Sequence, residues 1–198
     1  CYTRGEKDIY AVFYENDEVS GYWDLEGNNV KKAFLKAPLS FSRISSKFTY
    51  ARKHPVYKTV RPHTGVDYAA PMGTPVMAIG DGVVTFKGYK GGGGHTVKIK
   101  HNSTYESAYL HLSKYGKGIT TGARVTQGQV IGYVGSSGTS TGAHLDFRIW
   151  KNGTPIDPLK MESPPTEPIP SNARAEFDSV KTVMVNILNE ELGVTNEE

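Results

Sequence analysis

The chain has 198 residues with 22 Gly, 11 Pro and a single Cys, and its formal net charge is +3 at pH 7. A chain of this length can bury a core, so we expect one domain with attachments. It contains no long basic run and no apolar stretch near the roughly 20 residues of a membrane span, which argues against nucleic-acid binding and against a transmembrane segment. The mild charge suits a polyanionic environment such as a bacterial wall, or only solubility.

The only cysteine is Cys1. An intrachain disulfide is therefore impossible, and ligation of a metal by cysteine is not expected. A cysteine at the first position of a mature bacterial protein can accept a lipid, which would anchor the protein to a membrane through Cys1. The alternative hypothesis is that this position is only where the sequence was cut.

The chain opens with two runs of strand-forming residues, 8–14 and 18–24, separated by Glu15-Asn-Asp17. This pattern predicts a β-hairpin. The segment is too small to hold a core alone, so we expect it to pack on the domain that comes after it in the chain. We assign residues 1–39 to this N-terminal hairpin extension.

Short strand-like runs punctuated by glycine continue from Val66 to Trp150. The run His95–His101 alternates as a half-buried strand should. Residues 135–142 are so rich in glycine and serine that they predict a loop. Runs this short and evenly spaced predict a mainly β fold with an antiparallel sheet, and we place this domain at residues 40–160.

The last segment, residues 161–198, differs from the sheet domain in composition. Residues 161–170 are rich in proline and predict an extended tether. A helix is predicted from about Asn172 to Leu192, and residues 195–198 should fray. The apolar residues of this helix recur at helical spacing and form one stripe: Phe177, Val180, Met184 and Leu188. We expect this stripe to pack on the sheet domain.

Three short motifs within the sheet domain contain the candidate chemistry: residues 61–67, 109–113 and 144–147. Side chains two apart on a strand share a face, so His144 and Asp146 can point into one groove. Histidine and carboxylate ligands on neighbouring strands, with one position left for water, are what a hydrolytic zinc site requires. A buried cluster of such groups is costly without a metal or mutual hydrogen bonds.

Three other histidines are weaker candidates. His54 precedes a proline in what reads as an ordinary polar loop. His101 stands at a strand end, where a structural role is expected. His95 follows four glycines and could border the groove.

The motifs resemble those of the lysostaphin/LytM-type zinc endopeptidases of bacterial cell walls. The segment from His63 to Asp67 matches their H-x-x-x-D motif, and the segment around His111 resembles their single catalytic histidine. Residues 135–147 resemble their glycine-rich loop running into H-x-H, and residues 73–84 are also similar. The likeness covers roughly residues 40 to 160.

The resemblance implies that His63 and Asp67 bind zinc, with Asp146 in the position of the third ligand. His111 and His144 would assist the attack of water and stabilise the tetrahedral oxyanion. The implied substrate is a peptide cross-bridge or stem peptide of peptidoglycan, and the implied location is the bacterial cell envelope, periplasmic or extracellular. We expect a monomer that uses one Zn²⁺ ion, whose bound water has a pKa of about 7.

Asp146 departs from the family pattern, which has histidine at this position. An aspartate can bind zinc, but it is shorter, and a second carboxylate cancels more of the charge of the metal, which favours a harder ion such as Mn²⁺. Two alternatives to an active enzyme therefore remain. One is a weak or inactive LytM-type module that binds wall peptide or regulates another hydrolase, and the other is a structural β-domain whose groove recognises a protein partner.

Overall fold

The computed structural model describes residues 2–4, 7–30, 32–40, 42–53, 60–163 and 167–192. The chain divides into two compact units. The hairpin–helix unit combines Cys1–Ala33 with Pro164–Glu198, and the sheet unit comprises Phe34–Ser163. The predictions for Cys1, for the loop at His54 and for the frayed end at residues 195–198 lie outside the described residues.

The hairpin–helix unit contains two antiparallel strand pairs. They are β1 (Tyr2–Arg4) with β2 (Lys7–Ile9), and β3 (Val12–Glu15) with β4 (Ser20–Trp23). The second pair confirms the predicted hairpin. Its turn is stabilised by the side chain of Asn16, whose Oδ1 accepts hydrogen bonds of 2.9 Å from the backbone N–H groups of Glu18 and Val19. Alternate residues of β3 face the core, so Val12 and Tyr14 are buried.

Helix α1 (Arg174–Leu192) packs its first turns on this hairpin. Phe177 is fully buried, and its ring meets those of Tyr14 and Trp23 edge-on, with centroids 5.8 Å and 6.2 Å away. These contacts correct the expectation that the stripe packs on the sheet domain. The hairpin and the helix each lack a second apolar layer, and each provides it for the other. The segments assigned as separate attachments, residues 1–39 and 161–198, thus contribute residues to one core. The apolar stripe is not buried along its whole length, since Met184 is 46% exposed.

The sheet unit is built from short antiparallel strands. In chain order they are β5 (Arg43–Ser46), β6 (Thr49–Lys53), β7 (Val60–His63), β8 (Val66–Ala69), β9 (Pro75–Met77), β10 (Gly82–Tyr89), β11 (His95–Lys100), β12 (Tyr105–Tyr115), β13 (Arg124–Val125), β14 (Val130–Val134), β15 (His144–Lys151) and β16 (Thr154–Ile156), with a 3-10 turn at Gly91–Gly93. Within the described residues, ten of these strands form one sheet in the order β13-β10-β11-β12-β15-β8-β5, with β14 beside β12 and β9, and β16 beside β15. β6 and β7 form a separate ribbon. The predicted mainly β, antiparallel fold is confirmed.

Strand alternation gives this sheet a core face and a groove face. In β15 the odd-numbered residues are buried in the core: Leu145, Phe147 and Ile149. The even-numbered residues line a groove: His144, Asp146, Arg148 and Trp150. In the described part of the chain, no helix combines the length and apolarity that crossing a membrane would need.

Candidate metal centre

The sheet register brings two aspartates side by side. β15 lies between β12 and β8, and Asp146 is the direct cross-strand partner of Asp67. His63 ends β7, and its Nε2 lies 3.0 Å from Oδ1 of Asp67 and 3.9 Å from Oδ2 of Asp146. One potential ligand atom from each of the three residues lies within 4.8 Å of the others, and all three residues are buried. The structure therefore brings together the three residues that the sequence analysis selected as metal ligands.

The ring of His63 is oriented by the backbone. Its Nδ1 lies 3.1 Å from the carbonyl oxygen of Lys47, so an Nδ1–H donates there and Nε2 faces the carboxylates. Burial lowers the pKa of His63, but the hydrogen bond and charge of Asp67, the Lys47 carbonyl and the charge of Asp146 outweigh burial, so the pKa is raised overall. A proton or a metal ion at Nε2 would satisfy the same two carboxylates.

Gly65 lies between His63 and Asp67 and lets β15 approach this segment closely. A Cβ atom at this position would lie 2.5 Å from Oδ1 of Asp146 and 2.8 Å from the backbone oxygen of Phe147. No side chain fits at such distances without moving a neighbouring strand. The glycine in the middle of the first motif is therefore a requirement of the site.

The two remaining site histidines stand next to each other in the groove. The ring centroids of His111 and His144 are 4.7 Å apart, and Nε2 of His144 lies 3.9 Å from Oδ1 of Asp67. Nδ1 of His111 is 2.7 Å from the carbonyl oxygen of Ser137, and Nδ1 of His144 is 2.8 Å from that of Gly142. The glycine- and serine-rich loop thus orients both rings through its backbone.

His111 adopts an uncommon backbone conformation. Its φ is +61°, in the left-handed region that few residues other than glycine and asparagine enter. The strand register of β12 shifts between Leu112 and Lys114, directly after this residue. Local strain of this kind is maintained only where the surrounding structure imposes it, and here it accompanies the placement of His111 in the groove.

Arg148 is a site residue that the sequence analysis missed. Its Nη2 lies 2.6 Å from Oδ2 of Asp146, and its Nε lies 3.0 Å from Oδ1 and 3.2 Å from Oδ2. The guanidinium therefore binds the carboxylate in a bidentate manner. The available signal was its position two residues after Asp146, on the same strand face.

The groove has a volume of about 660 Å³. Besides the site residues it is lined by the rim at Gly92, Gly93 and Thr139–Thr141 and by groove-facing residues of β11 and β12. His95 is not among its lining residues, and its backbone N–H donates to Ser137 Oγ at 2.9 Å. His101 is structural, with Nδ1 at 2.8 Å from the Asp81 carbonyl and Nε2 at 2.8 Å from Ser107 Oγ.

The three ligand candidates fit a divalent cation. They offer one imidazole nitrogen and carboxylate oxygens, a donor set that zinc accepts. Nε2 of His63 is buried and lies 3.0 Å from Oδ1 of Asp67 and 3.9 Å from Oδ2 of Asp146. A buried nitrogen facing two carboxylates is the arrangement that a cation completes.

Comparison with known proteins supports the predicted resemblance. The model of "Peptidase family M23" matches residues 61–158. The chain is 42% identical to the peptidoglycan DD-endopeptidase ShyC of Vibrio cholerae over 162 residues. The aligned region covers 82% of this chain and 37% of ShyC. The chain thus spans about a third of the length of the curated relatives it matches.

Solved structures agree with the sequence comparison. A zinc-containing peptidase from Vibrio cholerae superposes with a TM-score of 0.64 at 36% identity, covering 81% of this chain and 48% of that one. The catalytic domain of lysostaphin from Staphylococcus simulans gives a TM-score of 0.53 at 33% identity, covering 60% of this chain and 90% of that one. The resemblance inferred from the three motifs is confirmed, and this chain belongs to peptidase family M23.

Proposed function

We propose that the chain is a metal-dependent endopeptidase that hydrolyses peptide bonds of bacterial peptidoglycan. The observation that carries this proposal is the convergence of His63, Asp67 and Asp146 beside the paired rings of His111 and His144 in one open groove. The relatives named as peptidoglycan endopeptidases support the choice of substrate. By the same reasoning we propose that the protein acts in the bacterial envelope; that it is a monomer stays a prediction.

His63, Asp67 and Asp146 would hold the metal. Zinc, when bound at such a site, supplies a Lewis acid and a water whose pKa is near 7. We propose one Zn²⁺ ion, with Mn²⁺ as the alternative because two of the three ligands are hard carboxylates.

His111 and His144 are suited to move protons. Because each Nδ1 donates to a backbone carbonyl, Nε2 is the nitrogen of each ring that is left for proton transfer. Such a nitrogen can take a proton from an attacking water. Once protonated, it can donate a hydrogen bond to a developing oxyanion or a proton to the leaving amine.

One observation favours a second candidate, a weak or inactive module that binds wall peptide. Asp146, the third ligand candidate, is already paired with the guanidinium of Arg148 at 2.6 Å. A carboxylate committed to an ion pair is a weaker metal ligand, because the guanidinium already neutralises part of its charge. This candidate predicts binding to peptidoglycan without cleavage.

Digestion of purified peptidoglycan tests the proposal directly. The protein loaded with Zn²⁺, or separately with Mn²⁺, should release soluble fragments whose masses identify the peptide bond that is cut. His63→Ala is the matched control and should release none. Sedimentation of the protein with peptidoglycan, but no fragments with either metal, would favour the binding module.

A further inference from the structure

Arg148 connects the candidate metal centre to a neighbouring segment. It belongs to β15, two residues after Asp146, and its guanidinium contacts both oxygens of that carboxylate. Its Nη1 lies 3.4 Å from Oγ1 of Thr64, which precedes the glycine bend. The guanidinium is thus held between the strand and the bend, next to Asp146.

A cation at the site would reduce the repulsion between its carboxylates. Asp67 and Asp146 are cross-strand partners, and two adjacent carboxylates repel each other. With Arg148 included, these three side chains carry one net negative charge. A site of one aspartate and two neutral histidines carries the same charge, so a bound divalent ion would retain the same net positive charge in both.

Pairing with Arg148 leaves Asp146 able to coordinate. A carboxylate has about four lone-pair sites on its two oxygens, and the guanidinium occupies two or three of them. Ligating carboxylates are commonly hydrogen-bonded by outer groups, which fix their orientation. Asp146 also remains close to the other two ligand candidates, with Oδ2 at 3.9 Å from Nε2 of His63.

We propose that Arg148 is a positioning residue of the metal centre, which holds Asp146 in place and offsets the second carboxylate, so that the Asp146–Arg148 pair substitutes for a neutral histidine ligand. This inference rests on the proposed metal-dependent function. It also predicts that replacing Asp146 alone is unfavourable. A histidine there rebuilds the usual ligand set but leaves an unpaired guanidinium beside the metal.

A double-mutant cycle measures this dependence. Zinc affinity is determined by competition with a chelator of known affinity for the parent, Asp146→His, Arg148→Met and the double variant. Asp146→His alone should weaken zinc binding about 10- to 100-fold, because the guanidinium of Arg148 is then left unpaired beside the metal; losses of this order are usual when the hydrogen-bond partner of a ligand is disturbed. Adding Arg148→Met should return the affinity to the parental range, because the unpaired charge is gone.

Thermal melting of the metal-free proteins gives a readout that does not require activity. Arg148→Met should lower the melting temperature of the metal-free protein, because Asp67 and Asp146 then face each other without the neighbouring positive charge. Arg148→Lys should restore part of the melting temperature, since it keeps the charge but loses the bidentate geometry. Lys98→Met is the control, because Lys98 also lines the groove but lies over the ring of Trp150 at 5.0 Å.

The outcomes separate this inference from the proposed function. Tighter zinc binding in Asp146→His regardless of residue 148 would overturn the role of Arg148 and leave the peptidase proposal standing. Zinc binding that appears only when Arg148 is removed would also overturn it, because the guanidinium would then exclude the metal. The expected cycle together with no cleavage of peptidoglycan would support Arg148 and reject the peptidase.

Discussion

The two halves of the candidate metal centre are supported in different ways. On the β7–β8 side, His63 is oriented by the carbonyl of Lys47, and the chain reaches Asp67 through the bend at Gly65. On the β15 side, Asp146 is held by a side chain, the guanidinium of Arg148. A backbone carbonyl stays in place as long as the fold does, whereas a side-chain ion pair can be removed by one substitution. A substitution in the β15 half should therefore change the metal affinity of the site more readily, without loss of the fold, than one in the β7–β8 half.

The largest expected effect concerns the two histidines that we propose as proton-transfer groups, whose rings are oriented by backbone carbonyls. His144→Ala should reduce the turnover of peptidoglycan about 100- to 10,000-fold while leaving zinc affinity unchanged, because its ring acts on protons rather than on the metal. At residue 111 asparagine is the suitable replacement, since it tolerates the positive φ, and His111→Asn should behave in the same way. Turnover is measured by release of soluble fragments, and zinc affinity by chelator competition.

His95→Ala is the control for both variants, because His95 lies outside the groove lining and should leave turnover close to the parental value. Loss of zinc binding in His144→Ala would show that this residue is a ligand. That result would contradict the division into metal-binding and proton-transfer residues.

Gly65→Ala tests the contact between the two halves. The added methyl would meet Oδ1 of Asp146 at 2.5 Å and the backbone oxygen of Phe147 at 2.8 Å, so β8 and β15 must separate. We expect a loss of about 1–3 kcal/mol in the free energy of unfolding, as for overpacked interiors, and weakened zinc binding. Urea denaturation measures the first quantity.

Gly142→Ala is the matched control for this change, since a Cβ there meets nothing within 4 Å and the carbonyl that orients His144 is retained. Equal stability of the two variants would show that the close approach at Gly65 is unimportant.

The smallest expected effect concerns His101, a histidine of the sheet unit with both ring nitrogens hydrogen-bonded. Burial lowers its pKa below the ordinary value of 6.5. The unfolded chain therefore binds a proton at a higher pH than the folded chain, and stability is lost as the pH falls below about 6.5. His63 has a raised pKa and acts in the opposite direction, stabilising the fold at low pH.

Replacing His101 should therefore flatten the loss of stability between pH 7.5 and pH 5. His101→Gln is compared with the parent by urea denaturation of metal-free protein at several pH values. The readout is the slope of the free energy of unfolding against pH, because the glutamine also shifts this free energy by a constant amount at every pH. A slope equal to that of the parent would show that His101 does not contribute.

The sequence by itself indicated five candidate residues for the chemistry. Alternation along strands and the spacing of His63, Asp67, His111, His144 and Asp146 are local properties that a linear chain displays. The hairpin and the start of the helix near Asn172 were predictable for the same reason, since turn and capping signals act within a few residues. The family is recognisable from these motifs in their order.

Only the tertiary structure decided how these parts are supported. The carbonyls of Lys47, Ser137 and Gly142 carry no sequence signal, because every residue has one and only the fold brings the right one to each ring. Alternation places Arg148 on the face of Asp146, but whether it contacts the carboxylate depends on its rotamer and on the neighbouring bend. Phe177 packs against a hairpin more than 150 positions away, and contacts between segments this distant are determined by packing, which a local pattern does not encode.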